Sequence, residues 1–222
     1  MIPEAALQNF AGWTFRLRKA PSQPSPLLVL LHGWRGDENS MWVFADRLPP
    51  GSSLLAVRAP HPDPGGGYTW RLIPPGDREL PSLQDLEPAA DDLLAFLDSW
   101  SASAGLDATR LDLVGFSQGA ALAHVLAVLH PQRIGRYAAL SGFLPRGAEE
   151  HLAQHSLDGK LIFLAHGRQD ERVPVGLARQ AAARLEGSGG RVSYCESDTG
   201  HKVSLDCLKA LESFFLRDEL AE

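Results

Sequence analysis

The chain has 222 residues, a formal net charge of −6 and 44% hydrophobic residues, which is typical of a globular protein and excludes general disorder. The acidic balance gives no electrostatic reason to bind phosphate backbones, so no nucleic-acid partner is expected. The longest strongly apolar stretches, at 27–31 and 120–129, are too short to cross a bilayer. No signal-peptide pattern follows Met1. We therefore expect a cytoplasmic protein without an integral membrane segment.

The two cysteines, Cys195 and Cys207, are too few for a disulfide scaffold and do not form a Cys-x-x-Cys pair. We expect two reduced thiols in the core. The acidic residues and histidines form no set with the spacing of metal ligands. No metal and no cofactor are expected.

Short apolar runs alternate with amphipathic stretches along the chain. In chain order, the predicted strands are 13–18, 26–31, 53–57, 111–115, 137–140, 160–165 and 191–195. The first alternates in polarity and predicts an antiparallel edge strand. The next five are apolar enough to be buried on both faces, and 191–195 is a further candidate strand. The predicted helices cover 86–100, 117–130, 177–185 and 208–215. This alternation predicts an α/β fold with a mostly parallel central sheet and helices on both faces.

Two segments, 61–87 and 142–159, do not fit the alternation and are predicted as long loops. Both follow a predicted strand. Because ligands of open α/β sheets bind beyond the carboxyl ends of the strands, we expect both loops to form the rim of a ligand crevice.

The strongest chemical signal is Gly-Phe-Ser-Gln-Gly at 115–119, which follows a predicted strand and opens a predicted helix. This is the context of a nucleophile elbow, in which a strained turn exposes a serine hydroxyl at a helix N-terminus. Gly115 and Gly119 leave room for the turn. Ser117 is therefore the predicted nucleophile.

A serine needs a base, and the chain has eight histidines. His201 lies in a loop between the last predicted strand and the last helix, where it faces the elbow, and we predict that it is the base. His166 and His32 stand at strand ends and are interpreted as structural. His124 lies inside a predicted buried helix and is interpreted as a core residue.

The base needs a carboxylate to fix its tautomer. Asp170 stands just after the predicted strand at 160–165 and is the predicted partner. Asp198 is the alternative, but it lies three residues before His201, too close in sequence to reach the far ring nitrogen, and we interpret it as solvated.

The oxyanion of a tetrahedral intermediate needs two donors. The backbone N–H of Gln118, directly after the nucleophile, is the first predicted donor. The second is the N–H of Trp34, in the tight turn after the strand at 26–31.

Four segments together resemble the phospholipase/carboxylesterase family, which includes the acyl-protein thioesterases: LLHGWRGDE (30–38), LDLVGFSQGAALA (111–123), HGRQDERVP (166–174) and GHKV (200–203). The resemblance implies a single α/β-hydrolase domain over 1–222 without a separate cap domain. It also implies hydrolysis of carboxylic esters through an acyl-enzyme, with thioesters or lysophospholipids as alternative substrates. The roles it implies for Ser117, Asp170, His201, Trp34 and Gln118 are those given above.

The substrate is less well specified than the chemistry. With Trp34, the side chains of Trp70, Phe143 and Leu144 are predicted to line an apolar acyl pocket. Arg35 and Arg71 depart from the pattern of the family, and they are candidates for recognising an anionic substrate or for a solvated surface.

Other functions remain open. A serine peptidase or a lactone hydrolase on the same fold would use the same three residues, and a non-catalytic binding module would keep the fold alone. The expected partner is a small-molecule ester or acyl compound, and a homodimer remains open.

Overall fold

The computed structural model describes residues 5–74, 76 and 79–216. Its strands are β1 (Ala6–Phe10), β2 (Trp13–Arg18), β3 (Leu27–Leu31), β4 (Ser53–Val57), β5 (His61–Pro62), β6 (Tyr68–Thr69), β7 (Leu111–Phe116), β8 (Ile134–Leu140), β9 (Leu161–Gly167) and β10 (Arg191–Ser197). Its α-helices are α1 (Leu83–Ala104), α2 (Gln118–Leu129), α3 (Ala148–Gln154), α4 (Val175–Gly187) and α5 (Leu205–Leu216), and a 3-10 helix covers Trp42–Arg47.

Eight of these strands form one sheet in the order β1-β2-β4-β3-β7-β8-β9-β10. The pairs β1–β2 and β2–β4 are antiparallel, and all other neighbours are parallel. Leu31 pairs with Gly115, and Leu140 pairs with both Phe116 and Ala165. The carboxyl ends of β3, β7, β8 and β9 therefore meet at one edge of the sheet.

Helices cover both faces of the sheet, as the sequence predicted. Along β3, Leu27, Val29 and Leu31 face a core formed with α1, α2, α3 and α4. Leu28 and Leu30 face the opposite core, formed with the 3-10 helix and α5. A strand buried on both sides must be apolar at every position, which explains the continuous run of leucine and valine.

Helix α1 begins at a capping box, in which the Ser82 side chain accepts from the Asp85 amide and the Asp85 carboxylate accepts from the Ser82 amide. It ends at Gly105, whose left-handed φ of 67° suits a residue without a Cβ. Its aromatic residues pack on β2, where the Phe15 ring contacts Phe96 and Trp100. Among the described residues, no helix combines the length and apolarity needed to cross a membrane.

The outer strand of the sheet differs from the sequence prediction. β2 was predicted as an edge strand, but it lies between β1 and β4, and β1 occupies the edge. The segment 142–159, predicted as a loop, contains the short helix α3. The segment 61–87, also predicted as a loop, holds the β5–β6 ribbon and the start of α1. Short elements such as these carry too few apolar positions to give a period.

The prediction of two reduced thiols was wrong. Cys195 of β10 and Cys207 of α5 form a disulfide, with their Cα atoms 5.7 Å apart. The first turn of α5 packs back against β10, so residues that are distant in the sequence meet in the fold. Disulfides of this kind are typical of oxidising compartments.

Candidate active site

Ser117 stands at the turn between β7 and α2. Its φ of 54° and ψ of −115° lie outside the common regions for a residue with a side chain. Its amide donates to the Leu140 carbonyl at 2.8 Å, which ties the turn to β8. A Cβ at Gly115 would overlap the backbone of Gly119, and one at Gly119 would overlap the Leu31 carbonyl. The two glycines thus allow α2 to start directly against β3 and β7.

Ser117, His201 and Asp170 form a continuous hydrogen-bonded chain. The Ser117 Oγ lies 3.0 Å from the His201 Nε2, and the His201 Nδ1 lies 2.7 Å from the Asp170 Oδ2. The Asp170 side chain is fully buried, whereas the His201 side chain is 14% exposed. The ring of Phe116 packs beside that of His201 at a centroid distance of 5.1 Å. The imidazole is therefore held on one side by a carboxylate and on one face by an aromatic ring.

The orientation of Asp170 is fixed by its other contacts. Its Oδ1 accepts hydrogen bonds from the amides of Arg172 and Val173, both at 2.9 Å. The buried His166 donates from Nε2 to the Val173 carbonyl at 2.8 Å and lies 3.4 Å from the Asp170 Oδ2. This leaves the Asp170 Oδ2 directed at His201. His166 therefore has a structural place beside the site, as its position at a strand end predicted.

The loop that carries His201 leaves β10 beside a surface ion network. Glu196 accepts from Arg179 at 2.6 Å and from Arg168 at 3.1 Å. The hydrogen bond from Arg179 is the largest of the causes that hold the pKa of Glu196 at about 2. Asp198 pairs with Arg168 at 2.8 Å and is mostly exposed, so it takes part in this network rather than in the contact with His201.

The turn after β3 lies directly against the elbow. A Cβ at Gly33 would be 3.2 Å from the Ser117 Cβ, so the two backbones are already in contact. The buried His32 braces the turn, because its Nδ1 lies 2.7 Å from the Gly33 carbonyl and its Nε2 accepts from the Ala59 amide at 2.9 Å. Burial lowers the pKa of His32, although its bond to Gly33 acts in the opposite direction. Its neutral form suits this pair of bonds, with a proton on Nδ1.

Asp63 anchors the same turn to the loop between β5 and β6. Its carboxylate accepts from the Trp34 indole Nε1 at 2.6 Å, from the Arg35 Nε at 2.8 Å and from the Gly65 amide at 2.7 Å. Burial raises the pKa of Asp63, but these three hydrogen bonds outweigh it, so the pKa lies below its ordinary value. Arg35 has a φ of 65° and stacks 4.6 Å above the Trp34 ring. Asp63 was not predicted from the sequence, since only the folded loop brings it to the turn.

The side chain of Gln118 joins the elbow to β6 and to the residue directly after it. Its Oε1 accepts from the Trp70 amide at 3.1 Å, and its Nε2 donates to the Thr69 Oγ1 at 3.0 Å. The Trp70 indole donates to the His32 carbonyl at 2.8 Å. Trp70 is 1% exposed, so it lies beneath the site and supports it.

A cleft of about 520 Å³ opens at Ser117 and is called here the Ser117 cleft. It is lined by Gly33, Trp34, Arg35, Arg71, Ile73, Glu79, Leu80, Pro81, Phe116, Ser117, Gln118, Phe143, Arg172, Val173 and His201. Of the substrate-binding residues predicted from the sequence, Trp34, Arg35, Arg71 and Phe143 are in this lining. Leu144 packs against the core instead, as Trp70 does.

Several residues of the lining were not predicted from the sequence. Phe116 could have been found, because it directly precedes the nucleophile in the elbow motif. Ile73, Leu80 and Val173 come from irregular segments and carry no periodic signal. Arg71 is mostly buried and donates to a backbone carbonyl at 2.9 Å, so it is part of the wall of the cleft rather than a solvated residue.

Comparison with known proteins places the chain in a family. The sequence profile of the phospholipase/carboxylesterase family matches residues 15–217. Acyl-protein thioesterase 1 of Saccharomyces cerevisiae is 40% identical over 217 residues, which cover 84% of this chain and 90% of the yeast protein.

Solved structures agree. The Bacillus cereus carboxylesterase has a TM-score of 0.81 at 21% identity, covering 93% of this chain and 95% of that one, a likeness that shows the fold alone. Esterase PE8 has a TM-score of 0.76 at 29% identity, covering 92% and 97%. The chain therefore belongs to the phospholipase/carboxylesterase family of α/β-hydrolases and is an enzyme of the carboxylesterase type.

Proposed function

We propose that the chain hydrolyses carboxylic esters through an acyl-enzyme on Ser117, with Asp170 and His201 as the other members of a catalytic triad. The observation that carries this proposal is the continuous chain from the Ser117 Oγ through the His201 ring to Asp170, at 3.0 and 2.7 Å. A nucleophile, a base and a group that orients the base need this order of contacts.

In the proposed mechanism, His201 takes the hydroxyl proton as the Ser117 Oγ bonds to the acyl carbon. The carbonyl oxygen becomes an oxyanion, which accepts hydrogen bonds from the amides of Trp34 and Gln118. Collapse of the intermediate breaks the bond to the leaving group, and His201 protonates the departing oxygen or sulfur. Water, deprotonated by His201, then bonds to the acyl carbon. The bond from that carbon to the Ser117 Oγ breaks as His201 returns the proton to the Oγ, which frees the acid.

The lining of the Ser117 cleft favours an acyl group with an apolar chain. Beside charged lining residues such as Arg71 and Arg172, the side chains of Ile73, Leu80, Phe143 and Val173 supply apolar surface that a hydrocarbon chain can cover. The 40% identity to a protein named acyl-protein thioesterase supports thioesters as a second substrate class for the same mechanism. A thioester places sulfur rather than oxygen next to His201 and needs no other change.

The disulfide bears on the compartment in which this enzyme works. A cytoplasmic location stays a prediction, and the Cys195–Cys207 bridge weighs against it, because thiols in the cytosol are kept reduced. The proposed activity needs neither cysteine as a reactant.

The test is covalent labelling by a fluorophosphonate, read as intact mass, together with turnover of p-nitrophenyl acetate. We expect one label per chain in the wild type and none in Ser117→Ala, with turnover lost in parallel. Asp198→Ala is the matched control for Asp170→Ala, because both remove a carboxylate near the loop of His201. Labelling that persists in Ser117→Ala, or equal loss of turnover in the two aspartate variants, would overturn the assignment.

A further inference from the structure

Three arginines line the Ser117 cleft, although the chain as a whole has a net charge of −6. They are Arg35, Arg71 and Arg172, and among the described residues of the lining the one carboxylate is that of Glu79. Glu79 pairs at 3.1 Å with Arg146, which does not line the cleft. The lining therefore carries an excess of positive charge in a chain that is negative overall, and such a local excess attracts anions.

Two of these arginines are already engaged by the protein. The Arg35 Nε donates to the Asp63 carboxylate at 2.8 Å, which balances its charge. Arg71 is 8% exposed, and its guanidinium donates to the Glu79 carbonyl at 2.9 Å. Both side chains therefore have a structural place in the wall of the cleft, and a substrate would have to share them.

The third arginine, Arg172, differs from the other two. It is exposed, and within the part of the chain that the structure describes no carboxylate forms an ion pair with its guanidinium. Hydrogen bonds between a guanidinium and a carboxylate are stronger than those between neutral groups. The charge of Arg172 is therefore available to a ligand that enters the cleft.

The backbone of Arg172 is fixed to two members of the proposed triad. Its amide and the amide of Val173 both donate to the Asp170 Oδ1 at 2.9 Å. The Val173 carbonyl accepts from the buried His166 at 2.8 Å. The other carboxylate oxygen of Asp170 contacts the His201 Nδ1 at 2.7 Å. The carboxylate that orients the base thus also fixes the point from which the Arg172 side chain extends to the cleft.

We propose that Arg172 binds a carboxylate of the substrate, so that the substrates of this enzyme include esters with a negative charge on the acyl chain or on the alcohol. The inference rests on the proposed function and names a substrate class for it. The planar guanidinium can donate two parallel hydrogen bonds to a carboxylate. Apolar side chains of the cleft, such as Ile73 and Val173, then contact the carbon chain between the carboxylate and the ester. Arg172 thus takes the role for which the sequence offered Arg35 and Arg71.

The test compares charged and neutral esters of matched length. The acyl pair is monoethyl adipate and ethyl heptanoate, and the alcohol pair is ω-acetoxyhexanoate and heptyl acetate. In each pair an ethyl group takes the place of the carboxylate. Arg172→Gln removes the positive charge, and Arg172→Lys keeps the charge without the planar fork. Arg191→Gln is the matched control, because Arg191 is exposed at the amino end of β10 and does not line the cleft. Both replaced arginines are exposed, so each variant is expected to fold.

In at least one pair, we expect the ratio of kcat/KM for the charged over the neutral ester to fall about tenfold in Arg172→Gln and about threefold in Arg172→Lys. In Arg191→Gln both ratios should stay within about twofold. The pair that responds shows whether the carboxylate belongs to the acyl chain or to the alcohol.

Two kinds of failure are distinguishable. Ratios that stay unchanged for both pairs in Arg172→Gln, an equal fall in Arg191→Gln, or a wild type that cleaves only the neutral esters overturns the inference, while serine labelling still supports the proposed function. Absence of both labelling and ester turnover in the wild type overturns the proposed function and this inference with it.

Discussion

The disulfide between Cys195 and Cys207 closes the segment of the chain that carries His201. The two cysteines are 12 positions apart, one in β10 and the other in the first turn of α5, and the loop between them reaches to Ser117. The proposed base therefore lies in a loop that the disulfide closes, with β10 at one end and α5 at the other.

Replacing both cysteines by serine should lower stability and kcat together. A bridge that closes a loop of this length contributes about 3 kcal/mol by restricting the unfolded chain. We expect the free energy of unfolding in urea to drop by about that amount. A looser His201 loop should lower kcat by about fivefold with KM little changed, because orientation is lost rather than binding.

A reducing agent gives an independent check on the same bridge. The chain has only these two cysteines, so a phosphine reductant has no other disulfide in the chain to cleave. The reduced wild type should match the double variant in both measurements, and the double variant should not respond to the reductant. A kcat that is equal with and without the bridge would show that the contacts of His201 alone hold the loop.

Asp63→Ala should impair the proposed oxyanion site without touching the triad. The variant removes the acceptor of the Trp34 indole, of the Arg35 guanidinium and of the Gly65 amide at once. Because a misplaced oxyanion donor costs up to about 100-fold in rate, we expect kcat on p-nitrophenyl acetate to fall by about tenfold to 100-fold, with a smaller change in KM.

Asp63→Asn keeps one acceptor oxygen and should recover part of the rate lost in Asp63→Ala. Burial alone would favour a protonated Asp63, but its three hydrogen bonds hold the pKa below its ordinary value, so the contact should persist into mildly acidic solution. Equal kcat values for the alanine variant and the wild type would show that the Trp34 turn does not need this anchor.

Gly119→Ala tests the close approach of α2 to the sheet. An added Cβ would overlap the Leu31 carbonyl, which belongs to the centre of the sheet and cannot move aside. We expect a loss of about 3 kcal/mol or more in unfolding free energy, or no folded protein. Gly176→Ala is the matched control, because a Cβ there meets nothing within 4 Å in the first turn of α4. It should be neutral or stabilise by about 0.5 kcal/mol, measured in the same urea titration. Equal stability of the two variants would contradict the packing described here.

The parts of the fold that the sequence predicted are those with a local cause. The run of leucines at 27–31 must be buried on both faces, and Ser117 lies between glycines at a strand end, so both could be interpreted from neighbouring residues. β1 was missed because Ala6–Phe10 is an exposed edge strand in which polar residues alternate weakly with apolar ones. α3 was missed because its seven residues bury only Ala148 and Leu152.

The contacts that the sequence did not predict all depend on distant segments. The disulfide requires α5 to fold back on β10, and a spacing of 12 residues does not reveal this. Asp63 reaches Trp34 from 29 residues away through a loop without a period. In the same way, the 3-10 helix packs with α5 in one core, although most of the chain separates the two. Such contacts follow from the topology of the sheet and have no local sequence pattern.

His124 should make the protein sensitive to acid through its burial. It is 1% exposed in the centre of α2, and its Nδ1 lies 3.0 Å from the Tyr137 hydroxyl, which donates to it when the ring is neutral. Burial lowers the pKa of His124 from 6.5 to about 3. Between these two values the unfolded chain binds a proton that the folded chain does not. This residue therefore lowers the free energy of unfolding by about 1.4 kcal/mol for each unit by which the pH falls.

His124→Gln should remove this contribution, because glutamine does not titrate. Its Oε1 can accept a hydrogen bond from the Tyr137 hydroxyl. The measurement is the urea unfolding free energy at pH 7, 6, 5 and 4 for both proteins. We expect the slope of the unfolding free energy against pH to be smaller in the variant, by about 1.4 kcal/mol per pH unit below pH 6. Tyr137→Phe is the control, because it lowers stability but leaves His124 buried and the slope in place. Parallel curves for the wild type and His124→Gln would mean that a proton reaches the buried ring without unfolding the chain.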